Sequence, residues 1–113
     1  MVFVEVISVN GRAPDSPMEA TIDAAGGTVG RATVNALVLA DPGRTVSRIH
    51  AQFLRRHGVV KVLCRGTNDL LVDGRPLEMG DEVPVTDGAR LEMGVYVIRA
   101  TLGAGGAPVR GRA

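Results

Sequence analysis

Residues 26–68 read GGTVGRATVNALVLADPGRTVSRIHAQFLRRHGVVKVLCRGTN, and three short islands interrupt this run of strand-like sequence: Gly30-Arg31, Ser47-Arg48-Ile49-His50 and Thr67-Asn68. Each island has the chemistry of a loop where a strand ends or begins. Together they hold two guanidinium groups, two small hydroxyls, an imidazole and a side-chain amide. A guanidinium presents a planar fork of donors to two phosphate oxygens, and hydroxyls can donate to a third. An amide donates and accepts at once, which suits a peptide backbone. The set therefore fits a tetrahedral dianion carried on a peptide.

Outward from this stretch, β-branched and apolar runs recur between turn signals. Strands are expected at 2–9, 19–23, 28–31, 37–39, 49–56, 59–64, 70–72, 75–77, 82–85, 90–93 and 95–102. Asn10-Gly11, Asp41-Pro42-Gly43, His57-Gly58, Asp73-Gly74, Met79-Gly80-Asp81 and Asp87-Gly88 supply turns. In the 49–56 strand, Ile49, Ala51 and Phe53 are expected on one face. No segment keeps a helical period over ten residues. Short strands at this spacing predict an all-β sandwich. From Gly103 the composition turns to Gly, Ala, Pro and Arg, so a folded domain over 1–102 and a flexible tail or linker over 103–113 are expected. Such a tail leads to the expectation of a domain cut from a longer protein.

A chain of 113 residues makes one domain, large enough to fold without a metal or a disulfide. Hydrophobic residues make up 45% and aromatics only 3%, so the core must be aliphatic. The formal net charge of +1 gives no global field toward nucleic acid or membrane. The Arg55-Arg56 pair, Arg110 and Arg112 lack the aromatic platforms of a single-strand binder and read as solvated charges. Cys64, the one cysteine, lies in an apolar run and reads as a small buried hydrophobe. No apolar run is long enough to span a bilayer, and Met1 opens no signal peptide, so a cytoplasmic setting is expected.

Catalytic readings fare poorly. Ser47 and His50 could pair as nucleophile and base, but no orienting acid or oxyanion donors are identifiable beside them. Gly26-Gly27-x-x-Gly30 lacks the Lys-Ser/Thr ending and the following helix of a nucleotide-phosphate loop. Two distant histidines and one cysteine make no zinc site. His57 reads as a turn residue and His50 as a hydrogen-bonded structural histidine. No catalytic residue, metal ligand or cofactor is expected.

Gly27-Thr-Val-Gly-Arg31, Asn35, Leu37-Val-Leu39, Asp41-Pro42, Val46-Ser-Arg-x-His-Ala51, Thr67-Asn68 and Gly94-x-Tyr96 fall in an order that resembles the forkhead-associated (FHA) domain over roughly residues 19–102. The resemblance implies a sandwich of about eleven strands that binds phosphothreonine peptides and is not catalytic. It implies that Arg31 grips the phosphate, that the Ser47 hydroxyl donates to it, and that Arg48 and Thr67 contact the ligand. Asn68 would hold the ligand backbone, with Gly30 and His50 as architecture. It also implies a phosphothreonine-containing partner made by a Ser/Thr kinase, and leaves the oligomeric state open. A narrower likeness, through the early first strand, Gly26-Gly27 and the Gly-rich end, is to the N-terminal FHA module of type VI secretion accessory proteins. Two positions depart from the family pattern: Asp69 stands where a glycine usual in the family follows the asparagine, and Asp73 where a second asparagine is usual. A carboxylate at 69 would either repel the phosphate or select a cationic residue in the peptide. The same departures leave a second reading, a phospho-independent scaffold or self-association domain.

Overall fold

Between Val2 and Val9, the side chains of Val2, Val4 and Val6 are buried while Glu5 stays half-exposed, the period-two pattern of a strand with a covered face. The same alternation recurs along the chain. The structure, a computed structural model, describes residues 1–40 and 44–103. Its strands are β1 (Val2–Val9), β2 (Glu19–Ile22), β3 (Gly27–Gly30), β4 (Leu37–Val38), β5 (Ala51–Arg56), β6 (Val59–Cys64), β7 (Leu70–Val72), β8 (Arg75–Leu77), β9 (Glu82–Pro84), β10 (Ala89–Met93) and β11 (Tyr96–Leu102). They form a six-stranded sheet in the order β2-β1-β11-β10-β7-β8 and a five-stranded sheet in the order β4-β3-β5-β6-β9. All pairings are antiparallel except β3 with β4. No helix occurs among the described residues, so none is long and apolar enough to cross a membrane.

The core between the sheets is aliphatic, as the composition requires. Val29, Leu39, Val46, Val62, Leu70, Leu91 and Ile98 are shut off from solvent, with Phe53 and Met93 nearly so. Cys64 belongs to this core; burial pushes its thiol up, a backbone hydrogen bond at Gly66 offsets this only partly, and the nearby Asp81 carboxylate adds to the rise. Tyr96 is buried too and donates its hydroxyl to the Ala40 carbonyl, which ties the start of β11 to the segment leaving β4.

The turns follow from local chemistry. His57 and Gly58 take φ of 52° and 79°, and Asp73 and Gly74 take 51° and 81°, the double positive φ of a two-residue hairpin whose twist matches its strands. Asp73 does more than turn: its N–H donates to the Arg90 carbonyl at 2.8 Å and its Oδ1 accepts from the Arg90 N–H at 2.9 Å. That fastens the β7–β8 turn to β10, at the end of β7 remote from Asn68.

Several strand limits differ from the sequence expectation by one or two residues, and those of β3 and β5 bear on the loops at the islands. β3 ends at Gly30, so Arg31 opens a loop. β5 begins at Ala51, not at 49, because the Ser47 N–H folds back onto the His50 ring at 3.1 Å and closes a turn across 47–50. Ala51 and Phe53 share the buried face as expected, while Ile49 sits half-buried in that turn. The expected Asp41-Pro42-Gly43 turn and the tail from 104 lie outside the described residues.

Candidate functional site

Antiparallel pairing decides which loops meet. Val29 pairs with Ala51 and Ala51 with Cys64, while Glu92 pairs with Leu71. The loops leaving β3, entering β5, joining β6 to β7 and joining β10 to β11 therefore crowd one end of the sandwich. All three sequence islands lie there.

Backbone bonds fasten the first two loops together. The Arg31 N–H donates to the Ser47 carbonyl at 3.1 Å and the Ala32 N–H to the Arg48 carbonyl at 3.1 Å. Asn35 adds its Nδ2, which donates to the Ala32 carbonyl at 2.7 Å and the Arg48 carbonyl at 2.8 Å. The Arg48 carbonyl passes so close over Gly30 that a Cβ there would overlap it, and the Ser47 carbonyl would lie at 2.9 Å. Gly30 thus has a steric reason to be glycine. Gly30→Ala is expected to destabilise the domain by about 1–3 kcal/mol, since the obstruction is backbone and cannot swing aside. Chemical denaturation checks this, and an unchanged midpoint would show that the two loops tolerate separation.

His50, fully buried, joins the second and third loops. The Ser47 N–H is a donor, so the Nδ1 it faces at 3.1 Å must accept. The Asp69 carbonyl is an acceptor, so the Nε2 at 2.9 Å must donate. These partners select the neutral imidazole with its proton on Nε2. The Asn68 N–H adds a further tie, donating to Ser47 Oγ at 3.3 Å. Gly66 lies beneath Ser47, where a Cβ would stand 2.5 Å from the serine Cβ.

On this braced frame, the ligand-type side chains have spare capacity. Arg31 is half-buried and spends its Nε on the Val46 carbonyl at 3.1 Å, which orients the guanidinium and leaves its two terminal nitrogens to donate elsewhere. Ser47 Oγ accepts one bond and retains its own proton for donation. Among the described residues, the side chains of Arg48, Thr67 and Asn68 make no hydrogen bond or ion pair, with Arg48 and Thr67 exposed and Asn68 half-buried. Fork, hydroxyls, second cation and amide are what a phosphate ester on a peptide would need.

The arrangement brings all seven singled-out residues to one end: Gly30, Arg31, Ser47, Arg48, His50, Thr67 and Asn68. It also gives roles to residues that sequence reasoning left unassigned. Asn35 staples the Arg31 loop to the Arg48 carbonyl, and Gly66 makes room for Ser47. Asn35 had stood in the ordered motif only as a family position. Gly66 had no signal beyond preceding Thr67. Asp69 is held through its backbone carbonyl by His50 and is exposed, which puts its carboxylate outside the loop junction.

Loops of this kind, braced at one end of a two-sheet sandwich, define a recognition module. The chain belongs to the FHA domain family, whose model matches residues 27–94. Among solved structures, the chain is similar to the N-terminal FHA domain of S. cerevisiae Rad53p in complex with a phosphothreonine peptide, at 18% identity, with a TM-score of 0.69 and coverage of 88% of this chain and 93% of that one. It is similar to the FhaA FHA domain complexed with the intracellular domain of Rv3910, at 21% identity, with a TM-score of 0.68 and coverage of 88% and 99%. The FHA domain of an Arabidopsis thaliana hypothetical protein matches at 17% identity, with a TM-score of 0.73 and coverage of 94% and 88%. No curated protein matches the chain in sequence. At these identities the structural likeness carries the fold, two mainly antiparallel sheets of eleven strands.

Proposed function

We propose that this domain binds a phosphothreonine-containing segment of a partner protein, and that its role is recruitment and not catalysis. The observation that carries the reading is the Arg31 guanidinium, oriented through Nε by the Val46 carbonyl with its terminal nitrogens uncommitted. Those nitrogens take two phosphate oxygens, the Ser47 hydroxyl takes another, and Arg48 and Thr67 complete the anion's surroundings. Asn68 holds the ligand backbone. The phosphothreonine peptide bound to the Rad53p domain supports the ligand class. A Ser/Thr kinase would make the ligand, and a cytoplasmic setting fits a kinase-dependent partner. The setting in type VI secretion rests on the sequence resemblance alone.

Each charge-assisted bond contributes about 1.5–3 kcal/mol, so a handful of them gives reversible binding. Calorimetric titration with a phosphothreonine peptide and its unphosphorylated twin tests the reading. Heat of binding is expected for the phosphorylated form only. Equal binding of both would establish the alternative, a phospho-independent scaffold, for which the exposed Asp69 carboxylate beside Asn68 is the favouring observation.

A further inference from the structure

The turn after β8 builds a wall beside this site. The Gly80 N–H donates to the Cys64 carbonyl at 2.8 Å, and the Cys64 N–H donates to the Asp81 carbonyl at 2.9 Å. The Asp81 N–H donates to the Glu78 carbonyl at 2.9 Å, and Asp81 Oδ2 accepts from the Glu78 N–H at 2.9 Å. This network pins residues 78–81 to the end of β6. It nevertheless leaves Met79 58% exposed, a large apolar side chain held in solvent on a braced turn. Between Met79 and the β6–β7 loop runs a groove lined by Thr67, Asn68, Asp69, Leu77, Glu78 and Met79, with Gly66 at its end. Leu77 is buried and forms apolar floor. The groove carries two carboxylates and no cation, and neither Asp69 nor Glu78 uses its carboxylate in a bond or ion pair among the described residues.

We infer that this groove receives a lysine or arginine side chain of the bound phosphopeptide, close in sequence to its phosphothreonine. The inference rests on the proposed function, because Thr67 and Asn68 belong to both the phosphate site and the groove. A basic side chain has the required division: its methylene stem covers Met79 and Leu77, while its charged head reaches Asp69 and Glu78. An acidic residue would meet two like charges well inside a Debye length of about 8 Å. The ligand would thus present a dianion to Arg31 and Arg48 and a cation to the groove that Asn68 shares with Glu78 and Met79. A second depression shares Asn68 and Asp69 and is lined also by Arg44, Leu71 and Glu92 among others, so it holds a cation of its own and offers no exposed methionine. The groove with Glu78, Met79 and no cation in its lining is therefore the selective one.

Phosphothreonine peptides that differ only in carrying Lys, Ala or Glu at each flanking position, titrated against the domain and its variants, test this. One position is expected where Lys binds about tenfold tighter than Glu, with the gap narrowing as salt rises, as for partly exposed charge pairs. Asp69→Asn and Glu78→Gln should each shrink that gap, Met79→Ala should weaken the Lys peptide more than the Ala peptide, and Glu92→Gln should leave the gap intact. Melting curves matching the parent show that these exposed substitutions leave the fold intact. Phosphate-dependent binding with equal affinity for Lys, Ala and Glu at every position would overturn this inference and leave the proposed function standing. A gap that responds to Glu92→Gln and not to Glu78→Gln would overturn the choice of groove. Failure of every phosphorylated peptide to bind would overturn the proposed function and this inference with it.

Discussion

Arg31→Ala is expected to remove phosphothreonine-peptide binding while the domain stays folded. The alanine loses the bond from Nε to the Val46 carbonyl, a partly buried contact. Such a bond contributes about 0.5–1.5 kcal/mol to stability, which a domain stable by about 5–15 kcal/mol survives. Binding loses far more. Two charge-assisted bonds to phosphate at about 1.5–3 kcal/mol each amount to about 10²–10⁴-fold in affinity. Arg31→Lys should recover little, because an ammonium has neither the fork for two oxygens nor an Nε to keep the Val46 bond. Calorimetry on the parent and both variants, with melting curves beside it, reads the two effects separately. A folded Arg31→Ala that bound phosphopeptide like the parent would move the phosphate site elsewhere.

The loop at Gly30-Arg31 could be read in the sequence because its island is local, and so could the turns. His57-Gly58 and Asp73-Gly74 state their backbone conformation in two adjacent residues, and the structure gives both pairs positive φ. The sheets themselves followed from period-two alternation. What could not be read is whatever depends on residues brought together from afar. Gly66 must be small because of Ser47, which only the meeting of two loops reveals. Asp69 and Asp73 looked alike in sequence, as two carboxylates replacing family positions. In the structure Asp73 is tied to the Arg90 backbone at the far end of β7, whereas Asp69 lines a groove with Thr67 and Asn68. The Asp69 backbone is held by the His50 ring through its carbonyl, and no spacing rule encodes that. Met79 read only as part of a turn. Its exposure follows from hydrogen bonds that commit that turn to β6 and leave the side chain no core to enter.

His50→Ala tests whether the loop junction supports the site as a unit. The substitution orphans a donor, the Ser47 N–H, and an acceptor, the Asp69 carbonyl, around a fully buried position. Each unsatisfied buried group costs about 1–3 kcal/mol, and the vacated ring volume adds to that, so a loss of about 2–6 kcal/mol is expected. For a domain of this size, each kcal/mol lowers the melting midpoint by about 4–8 °C. Binding should weaken in the molecules that remain folded, because Ser47 sits on one side of the imidazole and Asn68 on the other, and their spacing is what the ring maintains. His50→Asn separates this bracing from simple volume loss. Its Oδ1 can accept from the Ser47 N–H within the same loop, but the shorter side chain cannot also reach the Asp69 carbonyl. It should recover part of the stability and little of the affinity, since the side-chain bond to the Asp69 carbonyl is still missing. Full recovery of affinity by asparagine would show that the Ser47 turn alone organises the ligand-facing groups, and that the tie to Asp69 serves only stability.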